Sequence, residues 1–462
     1  MAAARKLRSV FVCQSCGAQS SKWLGRCPSC NEWNSLVEES AARDGGKAQA
    51  LRHSAGPTAL GDVPFLEHAR ISCGDPEFDR VLGGGLVPGA AILLGGEPGI
   101  GKSTLLLQVL AHLSKTAEAM PVLYVSGEES AQQIAMRARR LQDYPTDAVQ
   151  VLPSVGLAQV EQVIAGLKPR VVVIDSVQTL RAETLESAPG TVAQLREVSS
   201  RLIDIAKRES IALFLVGHVT KEGALAGPKV LEHLVDTVLT FEGDWQRNVR
   251  LVRATKNRFG AVHEVGIFEM RESGLCGVDD PSALFLQQRS QQAPGAIIVP
   301  SMQGSRPLLV EIQALVAPAV YGAARRVVSE LDSSRLAILL AVLDKKAGVH
   351  VLDQDVFASV AGGVRVDERA IDLALAVAVV SSLRNRAVAA DMAVVGEVGL
   401  TGELRAVGHV EARLHELAKR GFRDVVVPQS NAKQLDALGD SLELNVHAAS
   451  SLGEALVHVF DQ

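Results

Sequence analysis

Gly96-Glu97-Pro98-Gly99-Ile100-Gly101-Lys102-Ser103 is the stretch on which the fold turns. It lies between an apolar run, Ala91-Ile-Leu-Leu94, and a helical run from about Thr104 to Leu113. A strand, a loop of the form G-x4-G-K-S/T and a helix, in that order, build a phosphate cradle. The glycines let backbone amides close around a β-phosphate, and the helix N-terminus adds its positive dipole. Lys102 bridges the β- and γ-phosphates, the Ser103 hydroxyl ligates Mg(II), and Thr104 extends the contact toward the α-phosphate. ATP is the expected substrate.

Outward from this loop, Val122-Leu-Tyr-Val125, Val171-Val-Val-Ile174 and Ala212-Leu-Phe-Leu-Val216 repeat the β-rich pattern with helical stretches between them. That alternation predicts an α/β fold with a mostly parallel sheet over residues 62–275. Asp175 closes its run at a strand tip, where a carboxylate holds the Mg(II) shell. Tyr124-Val-Ser-Gly-Glu128-Glu129-Ser130 sets two more carboxylates beyond a strand end, on the side where such sheets bind ligands. Glu128 is the candidate to activate water, and Glu129 reads as a helix N-terminal carboxylate favoured by the dipole. His218 is either a sensor of the γ-phosphate or a satisfied structural histidine.

Four of the six cysteines fall within one short span, Cys13-x2-Cys16 and Cys27-x2-Cys30. Two such knuckles form a closed tetrahedral Zn(II) site of the structural kind. Residues 1–38 are therefore expected to be a zinc finger that needs its metal to fold, with Trp23 and Trp33 packing over the site or stacking on bases. Cys73 and Cys276 read as buried apolar residues. Residues 39–61 and 276–293 read as linkers, and residues 294–462 as a second α/β unit. Its expected strands are Leu308–Ile312, Ala393–Gly396 and Val425–Val427, and its expected helices Ser334–Leu343 and Ala370–Leu383.

At 462 residues the chain has room for two or three domains. Its 47% hydrophobic and 21% charged residues exclude global disorder. With 47 Lys+Arg against 52 Asp+Glu, a net charge of −5 confines any nucleic-acid contact to local patches. No signal-peptide pattern and no membrane-length apolar run is read, so a cytoplasmic protein without a membrane partner is expected. One local patch runs from Trp245 to His263, where Arg247, Arg250, Arg253, Lys256 and Arg258 occur without an acid. Period two from Val249 to Ala254 suggests a strand whose cations either line one face or are simply solvated.

The order of four-cysteine finger, phosphate loop, Ser126-Gly-Glu-Glu-Ser130, Val235-Asp-Thr-Val-Leu239 and Lys256-Asn257-Arg258-Phe259-Gly260 resembles the bacterial RadA (Sms) family of DNA repair proteins. The resemblance implies a RecA-like ATPase that forms a homohexameric ring on single-stranded and branched DNA. It further implies work beside the recombinase RecA in branch migration, nucleoid association, and a replicative or repair factor met through the zinc finger. By the same resemblance Lys256 and Arg258 serve hydrolysis across a subunit interface, the pentapeptide Lys256 to Gly260 couples it to DNA, and Lys221 lies on a DNA-facing loop.

Residues 294–462 resemble the proteolytic domain of Lon through Arg306-Pro-Leu-Leu-Val-Glu311, Gly396-Glu-Val-Gly-Leu-Thr-Gly402 and Gly421-Phe-Arg-Asp-Val-Val-Val-Pro428. Such proteases need a serine nucleophile and a lysine base. Ala370 aligns with the serine and Glu411 with the lysine, so this unit is expected to be an inactive scaffold. Arg325, Arg326, Arg335, Lys345 and Lys346 are its candidate DNA contacts, with a solvated face as the alternative. Two rival functions stand beside the DNA-dependent motor: a nucleotide-switched repair regulator without motor activity, and an ATP-dependent protease.

Overall fold

In the strands Ala91–Gly96, Val122–Ser126, Val171–Asp175 and Ala212–His218, successive side chains enter opposite faces of one sheet. Ile92, Leu94, Tyr124, Val173, Phe214 and Val216 join one hydrophobic core with the helix Lys102–Leu113. Leu93, Leu123, Val125, Val172, Ile174, Leu213 and Leu215 join the other, with the helices Leu157–Leu167 and Val192–Glu209. Burial on both faces is the reason these segments read as unbroken apolar runs.

The structure is a computed structural model that describes residues 9–13, 18–29, 31–40, 70–115, 120–141, 144, 146–218, 230–244, 248–286, 293–319, 324–362, 365–435 and 443–461. The chain divides into two compact units, Met1–Val278 and Asp279–Gln462. In the first, the sheet runs in the order Gly274–Gly277, Val265–Arg271, Val249–Asn257, Thr237–Asp244, Ala91–Gly96, Ala212–His218, Val171–Asp175, Val122–Ser126, Gln150–Pro153. The strands from Thr237–Asp244 to Gln150–Pro153 are parallel, as expected. An antiparallel wing extends the sheet from Thr237–Asp244 to Gly274–Gly277. Its Val249–Asn257 strand holds the stretch read at period two. A small antiparallel sheet of Gln19–Ser20, Ser9–Cys13 and Leu36–Ser40 forms the cysteine-bearing ribbon.

The second unit carries a mixed sheet in the order Arg326–Ser329, Gln354–Val360, Arg306–Pro318, Ala296–Gln303, Met392–Val394, Asp424–Pro428, Asn445–Ala449. The helix expected at Ser334–Leu343 spans Ser333–Lys346, and the one expected at Ala370–Leu383 divides into a 3-10 turn, Arg369–Ile371, and a helix, Asp372–Leu383. That last helix is buried from Asp372 to Ser381 against the Arg306–Pro318 and Ala296–Gln303 strands, which suits its Ala and Val composition. The stretch 276–293, expected as a linker, differs. It holds the end of the Gly274–Gly277 strand and a helix, Pro281–Leu286. Proline at the first helical position and a buried Phe285 start and anchor that helix, and the Ser282 hydroxyl accepts the Leu309 amide at 3.3 Å.

Candidate functional site

The Ala91–Gly96 strand delivers the loop and the Lys102–Leu113 helix receives it. A Cβ on Gly96 would stand 2.8 Å from the Phe241 Cβ and 2.9 Å from the Phe241 carbonyl oxygen, so the two strands close only over glycine. Gly101 has φ +121°, and a Cβ there would meet Met270 at 2.9 Å. Pro98, Gly99, Gly101, Lys102, Ser103 and Thr104 form one wall of a cavity of about 310 Å³. Glu128, Glu129, Asp175, Ser126 and Arg137 form the other. Gly96 and Ile100 are buried behind this wall, and Glu97 is exposed beside it.

Lys102 is buried, with Nζ donating to the carbonyls of Gly96 at 2.8 Å and Glu97 at 2.9 Å. Burial pushes its pKa down, against the pull of Asp175, Glu128 and Glu97. The Tyr124 hydroxyl donates to Asp175 Oδ2, and burial, together with the Asp175 carboxylate, holds the phenol pKa well above its usual value. The Ser176 hydroxyl donates to Glu128 Oε1 at 2.6 Å, while the Ser126 hydroxyl accepts the Glu129 amide at 3.0 Å. Asp175, Glu128 and the Ser103 hydroxyl thus offer hard oxygen donors beside the loop, a donor set that fits Mg(II) with a triphosphate. Glu129 has a role beyond the helix dipole, because it ion-pairs with Arg137. The His218 side chain and Lys221 lie outside the described residues.

Lys256 stands elsewhere. It pairs with Val238, which pairs with Leu93, three residues short of Gly96. Its Nζ points further from the loop, donating to the carbonyls of Glu232 and Val235, each at 2.7 Å. Desolvation and the neighbouring Arg258 lower its pKa. Arg258, 56% exposed, pairs with Asp236 at 3.1 Å. Lys256 and Arg258 therefore sit toward the strand starts, at the end of the sheet away from the phosphate loop of the same chain.

The other members of the pentapeptide are tied to the chain's own backbone. Asn257 is buried, accepting the Phe259 amide at 3.0 Å and donating to the Val81 carbonyl at 3.4 Å. The Phe259 ring is attached to a backbone whose carbonyl accepts from Arg70, and a Cβ on Gly260 would stand 2.8 Å from the Gly83 Cα. Asn257 and Gly260 build the turn. Nor are the cations of the basic run one solvated face. Arg250 is buried with Nε donating to the Ile100 carbonyl of the phosphate loop at 3.2 Å, and Arg253 lies 3.6 Å from Glu242.

In the ribbon, Cys13 and Cys27 are buried in one small cluster with Leu36. Two buried thiols in a core this small suit a soft metal. Cys16 and Cys30 lie outside the described residues, and among the described residues no group of three metal-ligating side chains is assembled. Trp23 and Trp33 are 55% and 68% exposed, and neither joins the cluster of Cys13, Cys27 and Leu36. The Arg26 guanidinium instead lies 5.7 Å from the Trp33 ring centre.

Among the second unit's candidates, Arg335 is withdrawn from solvent. Its Nε donates to Asp372 at 2.7 Å and Nη2 to the Val398 carbonyl at 2.7 Å, inside the unit. Arg325 is exposed while pairing with Asp355 at 2.6 Å, and Arg326 donates to the carbonyls of Ala324 and Leu352. Lys345 and Lys346 are exposed. Ala370 is buried, its carbonyl accepting the Gly396 amide at 2.9 Å; Glu411 is exposed on the first turn of its helix. Among the described residues no helix is long and apolar enough to cross a membrane.

Sequence reasoning missed Tyr124, Ser176, Arg137 and Arg250. Tyr124 lies in a stretch already quoted and Ser176 directly follows Asp175, so both were legible as polar groups adjacent to a strand-end carboxylate. Arg250 was hidden among cations, and Arg137 stands two helical turns beyond Glu129.

Residues 11–38 match the rubredoxin metal binding domain family, residues 57–224 the AAA domain family, and residues 342–462 the Lon protease (S16) C-terminal proteolytic domain. The DNA repair protein RadA of Pseudomonas aeruginosa is 49% identical over 459 residues, covering 99% of this chain and 100% of that protein. The DNA repair protein RadA of Listeria monocytogenes is 47% identical over 455 residues, 98% of each. The DNA repair protein RadA of Bacillus subtilis is 45% identical over 456 residues, again 98% of each.

Proposed function

This chain belongs to the RadA family of DNA repair proteins, and on that footing we propose that it is a DNA-dependent ATPase that translocates on single-stranded or branched DNA. In this reading it processes recombination intermediates and promotes branch migration of RecA-mediated strand exchange. The observation that carries the proposal is the single cavity that gathers Lys102, Ser103, Glu128 and Asp175 around the phosphate loop.

ATP enters with its phosphates along the loop amides, and Lys102 exchanges the Gly96 and Glu97 carbonyls for phosphate oxygens. Mg(II), held by Ser103 and Asp175, supplies positive charge against the phosphates when bound. Tyr124 fixes one Asp175 oxygen, leaving the other for that shell. Glu128, oriented by Ser176, takes the proton of the attacking water. Lys256 and Arg258 point away from this cavity, which supports their action on the nucleotide of a neighbouring copy, where they stabilise charge on the transferred phosphoryl group. A homohexameric ring supplies such neighbours.

Cys13, Cys16, Cys27 and Cys30 hold Zn(II) in a structural ribbon that meets RecA or another repair factor. The Lon-like unit, with Ala370 and Glu411 in place of a serine and a lysine, is a scaffold without peptidase activity, and Arg325, Arg326, Lys345 and Lys346 offer it an exposed basic surface. The protein works in the cytoplasm, associated with the nucleoid.

An ATPase assay with and without single-stranded and forked DNA tests the proposal. Turnover raised by DNA is the expected result. Turnover indifferent to DNA favours a nucleotide-switched repair regulator, and ATP-dependent casein degradation would restore the protease reading.

A further inference from the structure

Among the described residues, Arg137 is the cation on the cavity wall opposite Lys102. It sits in the last turn of the helix Ala131–Ala138, whose start is fixed by a capping box. Ser130 Oγ accepts the Gln133 amide at 3.3 Å, and Gln133 Oε1 accepts the Ser130 amide at 2.9 Å. One terminal nitrogen, Nη2, pairs with Glu129. The other, Nη1, is buried and has no hydrogen-bond partner among the described residues. A guanidinium does not lose its proton to escape burial, so a buried N–H without an acceptor costs free energy until one arrives.

The acceptors already in the cavity are partly committed elsewhere. Asp175 Oδ2 takes the Tyr124 hydroxyl and Glu128 Oε1 takes the Ser176 hydroxyl. The charge balance points the same way. Lys102 and Arg137 give +2 against −3 from Glu128, Glu129 and Asp175, and without Arg137 the balance would be −2. A polyanion enters such a cavity only if its cations are held in place.

We propose that Arg137 contacts the bound nucleotide from within its own chain, Nη1 donating to a non-bridging phosphate oxygen while Glu129 holds the guanidinium in position. This rests on the reading of the cavity as an ATP site. It gives the site two cations in cis, Lys102 from the loop and Arg137 from the facing helix, before any neighbouring copy adds Lys256. Glu129 is then a positioning residue.

The test uses the full chain with Arg137→Met, Arg137→Lys and Glu129→Gln, measuring binding of fluorescent ATP and ADP analogues, steady-state hydrolysis and thermal melting. Arg137→Met should weaken ATP binding roughly tenfold to a hundredfold, the range for a hydrogen bond to a charged group. Its melting temperature should stay close to that of the unmodified chain, Arg137→Lys should recover part of the affinity, and Glu129→Gln should raise KM more than it lowers kcat. A loss confined to ATP assigns the contact to the γ-phosphate; an equal loss for ADP assigns it to the α- or β-phosphate. ATP and ADP affinities within twofold of the unmodified chain in Arg137→Met would overturn the proposal. If that variant does not fold, the same threshold applied to Arg137→Gln, which keeps a polar side chain but removes the charge, decides. Lys102→Ala serves as the control: hydrolysis surviving in it would remove the ATP-site reading itself, whereas hydrolysis lost there with Arg137→Met unaffected would remove only the role of Arg137.

Discussion

The phosphate-loop cavity and the ion pairs of the Lon-like unit treat buried charge in opposite ways. In the cavity, Lys102 rests on two loop carbonyls that a phosphate can replace, and Arg137 keeps one buried nitrogen without an acceptor. In the Lon-like unit, Arg335 is closed by Asp372 and the Val398 carbonyl. Arg413 is likewise closed by Glu368 at 2.6 and 2.9 Å and by the Gly408 carbonyl at 2.9 Å. Both arrangements bury arginine. Only the first leaves polar capacity facing a cavity, and that difference separates a site able to take a ligand from charge used to hold a fold together.

The strongest way to break this contrast is Lys102→Ala. Hydrolysis should fall roughly a thousandfold or more, about 4 kcal/mol of transition-state stabilisation, with thermal stability little changed. Near-normal turnover would show that the cavity is not the catalytic one. Arg335→Met should behave in reverse. Leaving Asp372 buried without its partner should destabilise the Lon-like unit by about 3 kcal/mol in a urea titration while the intrinsic chemistry of the nucleotide site is retained. A neutral outcome would make Arg335 a surface charge after all.

Next in size is Lys256→Ala, for which ATP binding should hold within twofold while hydrolysis in the assembled protein drops roughly a hundredfold. A variant that hydrolyses normally would confine Lys256 to the carbonyls it holds. The pH response should be milder. Burial lowers the Lys102 pKa below 10.5 in the empty cavity, and a bound phosphate favours the ammonium. Where the pH approaches or exceeds that lowered pKa, binding therefore takes up a proton. Affinity for ATP should be full below the empty-cavity pKa and decline as pH rises through it, earlier than an ordinary lysine would allow; calorimetry in buffers of different ionisation enthalpy reads the uptake directly. The smallest effect belongs to Arg326→Ala, expected to weaken DNA binding by less than roughly tenfold and to reduce the salt slope by about one.

How much was legible follows from how local each feature is. The phosphate loop spans consecutive residues between a strand and a helix, so sequence carried its geometry almost whole. The parallel strands were equally plain because burial on both faces leaves apolar runs with no polar interruption. The cations after Trp245 were not readable, because their partners come from distant segments: Ile100 for Arg250 and Asp236 for Arg258. Arg335 was misread for the same reason, its acceptor Asp372 lying on another helix. Position along the sheet was also hidden, since Lys256 is turned from the loop by a register that only the pairing of Val249–Asn257 with Thr237–Asp244 sets. The helix Pro281–Leu286 escaped notice because one turn anchored by Phe285 carries too little periodicity.

The central position of the Ala91–Gly96 strand has a consequence for synthesis. Its two neighbours in the sheet, Ala212–His218 and Thr237–Asp244, are encoded far downstream. At about 5–20 residues per second, a ribosome needs on the order of ten seconds after Ala91 to deliver the first of them. Until then Leu93 and Leu94, both fully buried in the finished sheet, have open edges on either side. The strand that carries the phosphate loop is thus among the first made yet keeps open edges until strands encoded far downstream arrive, and a nascent chain stopped before residue 212 would hold the motif without the site.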